Sequence, residues 1–219
     1  MAMDWSVIPA NFPLLMSGRL MSVKLAAVTI VCSFPLGCMI AIGRISKRRW
    51  LRYPSATMVN VLRSNPLILI VFWFFFLVPI LPGKPVGDFQ SVLIAFVIFF
   101  SAYFAEIVRS GIQSVGRNQI QAGLSTGLTY SQCMRLIVLP QALRSMLPSL
   151  VTQCIVVFQG TTIAYVVGMS EFLHTIFVVT ERTIRPVELY LFAAVVYFAV
   201  CFSGSMFARR LEKNVVRTR

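Results

Sequence analysis

Residues 119–140 read QIQAGLSTGLTYSQCMRLIVLP, a polar stretch with two glycines between segments apolar enough to cross a bilayer. The whole chain of 219 residues is 58% hydrophobic and only 12% charged. Several apolar runs separated by short basic stretches are typical of a multi-span membrane protein rather than a soluble domain. The polar stretch is therefore expected to be a segment outside the bilayer that joins two membrane spans.

Five apolar runs are long enough to be membrane spans, because a bilayer core of about 30 Å requires roughly 20 helical residues. The third run is short by itself, so its helix should continue past Glu106. We expect spans at about residues 20–42, 59–81, 91–112, 147–167 and 187–207, with a hairpin at about 116–140. The sequence thus predicts an all-α integral membrane protein that forms one domain over residues 1–219.

The 20 Lys and Arg residues give the chain a formal net charge of +13. Such a charge can attract nucleic acid, but a nucleic-acid binder keeps a soluble core and gathers its basic residues on one face. Here the basic residues lie between apolar runs, as in the positively charged cytoplasmic loops of membrane proteins. The side away from the polar stretch has only Arg19, Lys24, Lys84, Arg182 and Arg185. We therefore expect the polar stretch and the C-terminus in the cytoplasm, and the N-terminus outside.

Residues that carry metal or nucleophilic chemistry are sparse. His174 is the single histidine, and we interpret it as a surface or packing residue. The five cysteines show no CxxC spacing and no paired framework; they are Cys32, Cys38, Cys133, Cys154 and Cys201. We expect neither a metal site nor a catalytic centre in this chain.

Local chemistry divides the polar stretch into two short helices joined by a tight corner. Gly127 can take the left-handed conformation that ends a helix, and Leu128 is the apolar residue that such a cap buries. Thr129 and Gln132 have the spacing of a capping box, which begins the next helix. Pro140 lacks a backbone N–H, so we expect the chain to break or kink there before the fourth span.

Two features of the hairpin indicate what it could contact. Gly123 and Gly127 are four residues apart, which would place two bare backbone patches on one face of the first helix. Apolar residues recur at helical spacing in the second helix: Tyr130, Cys133, Met134, Ile137 and Val138. From local chemistry alone, the hairpin either lies on the inner leaflet or presents a face that another surface approaches closely.

The spacing of these residues resembles a known signature. The EAA signature of the membrane subunits of bacterial ABC importers is reproduced by Gln121-Ala122-Gly123, three residues, Gly127, nine residues, Ile137, one residue and Leu139-Pro140. Three flanking stretches are similar to the polar amino-acid uptake branch of that family: VLRSNPLILIVFWFFF, SAYFAEIVRSGIQSVGRNQ and LPQALRSMLPSL. The resemblance covers roughly residues 18 to 212. One departure is that Gln121 replaces the leading glutamate and Gly123 the second alanine.

The resemblance implies that the hairpin is a coupling element. In this family the EAA helix docks in a cleft on a cytoplasmic ATP-binding subunit, whose closure tilts the membrane helices. The coupling residues implied are Gln121, Ala122, Gly123, Gly127, Ile137, Leu139 and Pro140. Because the chain contains no GxxxxGK[ST] loop, ATP and Mg²⁺ are expected on the partner, and this chain itself is expected to bind no cofactor.

The resemblance also implies partners and a location. The expected partners are a dimer of ATP-binding subunits, a second permease subunit and an external solute-binding protein, together with membrane lipids and no nucleic acid. Five spans without an internal repeat would make a thin pore wall, so we expect a distinct sibling permease, or else a second copy of this chain. The expected location is the bacterial inner membrane.

Polar residues of the fourth span are candidates for the substrate path. A helix that starts near Pro148 would bring Gly160 close to the bilayer midplane. Lipid penalises the polar groups nearby, which are Gln153, Gln159, Thr161 and Thr162. These groups either line a path for a zwitterionic solute or only hydrogen-bond neighbouring helices. A second departure from the branch is that residues 159–162 carry no charge here.

Charged residues near the ends of spans two and three have a simpler interpretation. Intramembrane charges usually pair or serve function. We expect a structural bridge between Arg63 and Glu106, or between Glu106 and Arg109, rather than direct contact with substrate.

The resemblance implies a permease subunit of an importer of polar amino acids, with glutamate or aspartate as the leading substrate. One alternative is the same machinery for another solute, such as glutamine, a basic amino acid or an opine-like compound. The other is a membrane scaffold that holds a cytosolic partner without transporting anything.

Overall fold

The structure is a computed structural model that describes residues 3–80 and 87–217. Within these ranges the chain is helical, with short connections and no strand. The helices are α1 (Val7–Ala10), α2 (Phe12–Ile45), α3 (Arg49–Arg63), α4 (Leu67–Ile80), α5 (Asp88–Gln113), α6 (Arg117–Ser125), α7 (Tyr130–Cys133), α8 (Leu139–Gly160), α9 (Phe172–Thr183) and α10 (Pro186–Arg217). A π-helical turn (Met134–Val138) joins α7 to α8, and a 3₁₀ helix (Thr161–Val167) follows α8.

The long helices pass back and forth through one bundle. Two contacts show that α2 and α5 are parallel. The Lys24 ammonium of α2 lies 5.1 Å from the ring centroid of Phe89, near the start of α5. Further along both helices, the ring centroids of Phe34 and Phe104 lie 5.8 Å apart. We call the end where α2 and α5 finish, at Ile45 and Gln113, the hairpin end, and the other the opposite end. α8 returns towards the opposite end, and α10 runs back beside it.

The core of the bundle is built around α5, which packs against α2, α4 and α8. Its inward face carries fully buried aromatic side chains: Phe96, Phe100 and Phe104. Gly37 lets α2 approach this face, because a Cβ there would lie 2.7 Å from the Phe104 Cβ. Helices in lipid associate through such close packing rather than through expulsion of water.

The prediction of an all-α membrane protein is confirmed. Four helical segments are long and apolar enough to cross a membrane, and the pair α3 and α4 makes a fifth pass if the two are counted as one span. The expected spans at 20–42, 91–112 and 187–207 lie inside α2, α5 and α10, and the α5 helix continues past Glu106 as expected. The expected span at 147–167 begins within α8 and ends with the 3₁₀ helix.

The second predicted span, 59–81, is not one continuous helix. α3 ends at Arg63, α4 begins at Leu67, and the two are bent by 106°. Pro66 disfavours helical geometry in Asn65, whose side-chain amide instead donates to the Val61 carbonyl at 2.7 Å and closes α3. The chain therefore turns sharply at the hairpin end before it crosses the bundle; residue 81 lies outside the described residues.

A smaller apolar cluster closes the opposite end. α9 packs there against α2 and α10. The buried members of the cluster are Val7, Leu15, Phe172, Ile176, Val179, Leu189 and Ala193. The N-terminal residues are thereby held against the end of the bundle from which α10 departs.

Candidate functional site

The corner of the hairpin has the geometry that its sequence predicts. Gly127 has a φ of 87°, its N–H donates to the Leu124 carbonyl at 3.1 Å, and the Leu128 N–H donates to the Gly123 carbonyl at 3.2 Å. These two bonds form a Schellman cap that ends α6. Thr129 and Gln132 form a reciprocal capping box that begins α7. Both local predictions are confirmed.

The expected pair of bare glycine patches on one helix face is wrong. α6 ends at Ser125, so Gly127 lies beyond the helix in the corner. Gly123 is buried, and a Cβ on it would lie 2.7 Å from the Ile137 Cδ1 and 2.8 Å from the Cys133 Sγ. The surface that approaches Gly123 is therefore the second half of the same hairpin, and the glycine locks the hairpin together.

The remaining residues of the signature divide into two groups. Ile137 is half-buried against Gly123 and belongs to the internal contact. The exposed members are Gln121, Ala122, Gly127, Leu139 and Pro140. The structure thus brings the signature residues into one hairpin, but only the exposed group is open to a second protein.

We expected a break or a kink at Pro140, and the structure shows no break, because the helical segment runs from Tyr130 to Val167. The helix passes through this residue, because the preceding turn, Met134–Val138, is a π turn in which the Leu139 N–H donates to the Met134 carbonyl. Pro140 is the second residue of α8 and follows this π turn directly. The side-chain amide of Gln141 donates to the Ile137 carbonyl at 3.0 Å. The second half of the hairpin and the fourth span consequently form one continuous helical segment with a π turn inside it.

At the hairpin end, the Glu106 carboxylate forms ion pairs with three guanidinium groups. Glu106 pairs with Arg109 on its own helix and with Arg63 of α3, whose Nη1 lies 3.6 Å from the Glu106 Oε2. Both predicted bridges are therefore present. Arg44, at the end of α2, also donates to Glu106, and its side chain is only 12% exposed. Arg44 was not predicted from the sequence, since nothing local indicates that α2 and α5 finish side by side.

The polar residues of the fourth pass do not share one surface. Gln153 and Thr161 are buried inside the chain, whereas Gln159 is exposed and Thr162 is half-buried. The Thr161 hydroxyl donates to the Phe158 carbonyl at 2.7 Å, and the Thr162 hydroxyl to the Gln159 carbonyl at 2.8 Å. The Gln153 side-chain nitrogen has no hydrogen-bond partner among the described residues.

Gly160 marks a change of helix geometry in the middle of this pass. The α-helical α8 ends there and the tighter 3₁₀ helix begins at Thr161. A Cβ at Gly160 would lie 3.0 Å from the Phe100 Cζ and 3.4 Å from the Leu67 Cδ2. The glycine therefore allows α8 to touch both α5 and the start of α4.

A fully buried carboxylate, Glu171, was not identified from the sequence. It caps α9: its carboxylate accepts from the backbone N–H groups of Leu173 at 2.9 Å and His174 at 2.8 Å, and from the Ser22 hydroxyl at 3.1 Å. Burial raises the pKa of the Glu171 carboxyl, and the two backbone N–H groups oppose that shift. Glutamate is not a typical N-cap residue, so local sequence carried little signal.

His174 has the packing role that was predicted for it. Its ring lies 6.1 Å from the Tyr165 ring, centroid to centroid. Among the described residues, no three His, Cys, Asp or Glu side chains are grouped so that they could hold a metal ion.

Comparison with known proteins agrees with this architecture. The chain is 38% identical over 218 residues to the glutamate/aspartate import permease protein GltK of Escherichia coli O6:H1, covering 96% of this chain and 97% of the relative. It is 36% identical over 201 residues to the probable glutamine ABC transporter permease protein GlnP of Bacillus subtilis, covering 90% of this chain and 92% of that protein.

Solved structures give the same result for the fold. A chain in the crystal structure of an amino acid ABC transporter with histidines matches with a TM-score of 0.91 and 28% identity, covering 98% of this chain and 100% of that one. A chain of the MetNI methionine ABC transporter, in an inward facing conformation, has the same fold at a TM-score of 0.72 and 19% identity, over 92% of this chain and 98% of that one.

The family model for the inner membrane component of binding-protein-dependent transport systems matches residues 33–217. The match covers the hairpin, the Glu106 cluster and all the helical passes except the first part of α2. This chain belongs to the family of binding-protein-dependent transport system inner membrane components.

Proposed function

We propose that this chain is the transmembrane permease subunit of an ATP-driven importer of polar amino acids, with glutamate and aspartate as its substrates. The observation that carries the proposal is the 38% identity to a glutamate/aspartate import permease over nearly the whole of both chains. A second candidate is glutamine, because a probable glutamine permease is 36% identical over 90% of this chain.

The hairpin is the proposed contact with a cytoplasmic ATP-binding subunit, which would bind ATP and Mg²⁺. Two structural features support this role. The exposed residues Gln121 and Ala122 lie on α6, while the buried Gly123 fixes α6 to the second half of the hairpin. That second half is continuous with α8 through the π turn, so a displacement of the hairpin would be transmitted to the middle of the membrane.

The hairpin end is the proposed cytoplasmic side, since the basic residues concentrate there. The opposite end would then face the external solute-binding protein. The polar residues of the fourth pass, Gln153, Gln159, Thr161 and Thr162, are proposed to belong to the substrate path formed with a second permease subunit. Gln159 and Thr162 are accessible from outside this chain and would face the path. The buried Gln153 and Thr161 would instead stabilise the packing of the helix that lines the path.

Uptake of labelled glutamate in cells with and without this gene tests the proposal. Competition by unlabelled aspartate, glutamine, histidine and arginine identifies the substrate class. We expect deletion to remove an uptake component that aspartate suppresses and arginine does not. Suppression by glutamine alone would favour the second candidate. If deletion leaves glutamate uptake unchanged, the same comparison is made with labelled aspartate, glutamine, histidine and arginine; unchanged uptake of all five amino acids would support the alternative of a membrane scaffold and contradict the proposal.

A further inference from the structure

The last part of α10 carries a groove that is lined by none of the proposed coupling or substrate-path residues. Its volume is about 350 Å³, and it lies on the outer side of the helix near the hairpin end. Residues spaced three or four apart line it: Phe202, Ser205, Met206, Arg209, Arg210 and Lys213. At 3.6 residues per turn these positions form one stripe along the helix.

The stripe points away from the rest of the chain. α10 packs on α8 through Gly204, where a Cβ would lie 2.9 Å from the Ile155 Cγ1, and Ala208, about one turn further along on the same face, is buried. At 100° per residue, Phe202, Met206 and Lys213 fall roughly half a turn from that packing face. The groove is thus open to whatever surrounds the protein.

The charge of the groove is entirely positive. Arg209, Arg210 and Lys213 are all exposed and line one side of it, and none of the described lining residues is acidic. None of the three forms an ion pair with a carboxylate of the described residues, and Glu212, the acidic residue nearest in sequence, does not line the groove. An anion is the ligand that complements such a site.

The other half of the stripe is apolar. The Phe198 and Phe202 rings stack with centroids 5.2 Å apart, and their side chains are 65% and 50% exposed. Met206 continues this surface to the basic residues. From Phe198 to Lys213 the helix rises about 22 Å, so the apolar part faces the hydrocarbon while the basic part reaches the interface.

We propose that this groove is a binding site for an anionic phospholipid. Its phosphate lies among Arg209, Arg210 and Lys213, and an acyl chain lies along Phe198, Phe202 and Met206. Basic pockets at the cytoplasmic ends of membrane helices recognise anionic headgroups, and the adjoining aromatic surface adds contact that a free anion would not use. The site is separate from the proposed ATP-coupling and substrate-path residues. The proposal therefore does not depend on which amino acid is transported.

A photoactivatable phosphatidylglycerol tests the proposal. The full-length chain, with the subunits that co-purify with it, is reconstituted in phosphatidylethanolamine vesicles that contain this probe as a minor component. We expect cross-links within residues 198–213, suppressed by unlabelled phosphatidylglycerol but not by phosphatidylethanolamine or inorganic phosphate. The variants Arg209→Gln, Arg210→Gln and Lys213→Gln should each weaken labelling about fivefold, the effect of one basic residue near an anionic surface.

Single variants with the same loss of charge at the same end provide the control. Arg48→Gln, Arg49→Gln and Arg52→Gln each remove one exposed cation from α3 or the residue before it, and each should leave labelling of residues 198–213 unchanged. An equal loss of labelling in that control would show general attraction to the leaflet and overturn the site. Competition by inorganic phosphate, or protection of the groove by a co-purified subunit, would also overturn it, in favour of a free anion or a protein contact.

Discussion

Gly123 shows how one missing side chain determines the form of the hairpin. Without a Cβ, α6 lies against Ile137 and Cys133 of the following turns at a distance no other residue allows. The corner residue Gly127 does a different job: its positive φ reverses the chain, and a Cβ there would meet no atom within 4 Å. Packing therefore makes the first glycine necessary and backbone conformation the second.

Replacing Gly123 with Val should open the hairpin, because the new side chain would overlap Ile137 and Cys133. Overpacking of this kind costs about 1–3 kcal/mol. Tryptic cleavage after Arg117 and Arg135 in the solubilised protein should become roughly tenfold faster, since cleavage follows the population of the open form. Ala122→Val is the matched control, as it adds the same β-branched residue at the exposed neighbouring position. Equal cleavage rates in the two variants would contradict the internal contact.

At the scale of helices, two prolines with similar sequence signals have different effects. Pro66 follows the end of α3, and the chain turns by 106°. At Pro140 the preceding π turn absorbs the missing hydrogen bond and the helix continues. The local effect of proline is the same in both places, but the packing of the flanking helices decides whether the chain bends. From the sequence we expected a continuous span through Pro66 and a break or kink at Pro140, whereas the structure bends the chain beside Pro66 and continues the helix through Pro140.

The Glu106 cluster joins the ends of α2, α3 and α5, and its three arginines should differ in importance. The Arg44 side chain is 12% exposed, whereas that of Arg63 is 40% exposed and 3.6 Å from the carboxylate. Arg44→Gln should lower the free energy of unfolding by about 1.5–3 kcal/mol, which is typical of the loss of a hydrogen bond to a charged group. Arg63→Gln should cost at most about 1 kcal/mol, as for an exposed pair.

The decrease in the thermal unfolding temperature of each variant, measured in detergent, tests this difference between Arg44→Gln and Arg63→Gln. The exposed substitution Arg48→Gln serves as the control and should stay within about 0.5 kcal/mol of the parent. Equal losses for Arg44→Gln and Arg63→Gln would contradict the ranking of the two contacts.

Over the whole molecule, the proposed orientation places Met3 and the hairpin on opposite sides of the membrane, because three passes lie between them when α3 and α4 are counted as one. Met3 lies at the opposite end and is exposed, and the hairpin residue Ser125 is exposed at the other. In a variant without native cysteines, a membrane-impermeant maleimide applied to cells with permeable outer envelopes should label Met3→Cys. It should label Ser125→Cys only after the inner membrane is opened. The reverse pattern would contradict the proposed orientation, and labelling of both residues would contradict an odd number of passes between them.

The sequence by itself determined the membrane character of the chain, the cap at Gly127, the capping box at Thr129 and the family to which the hairpin points. These features depend on composition and on residues within a few positions of one another, which a sequence displays directly. Tertiary structure alone decided the bend before Leu67, the continuous helix through Pro140, the inward side of Gly123 and the meeting of Arg44 with Glu106. Each of these depends on which helices pack together, and contacts between residues far apart in the chain have no local signal.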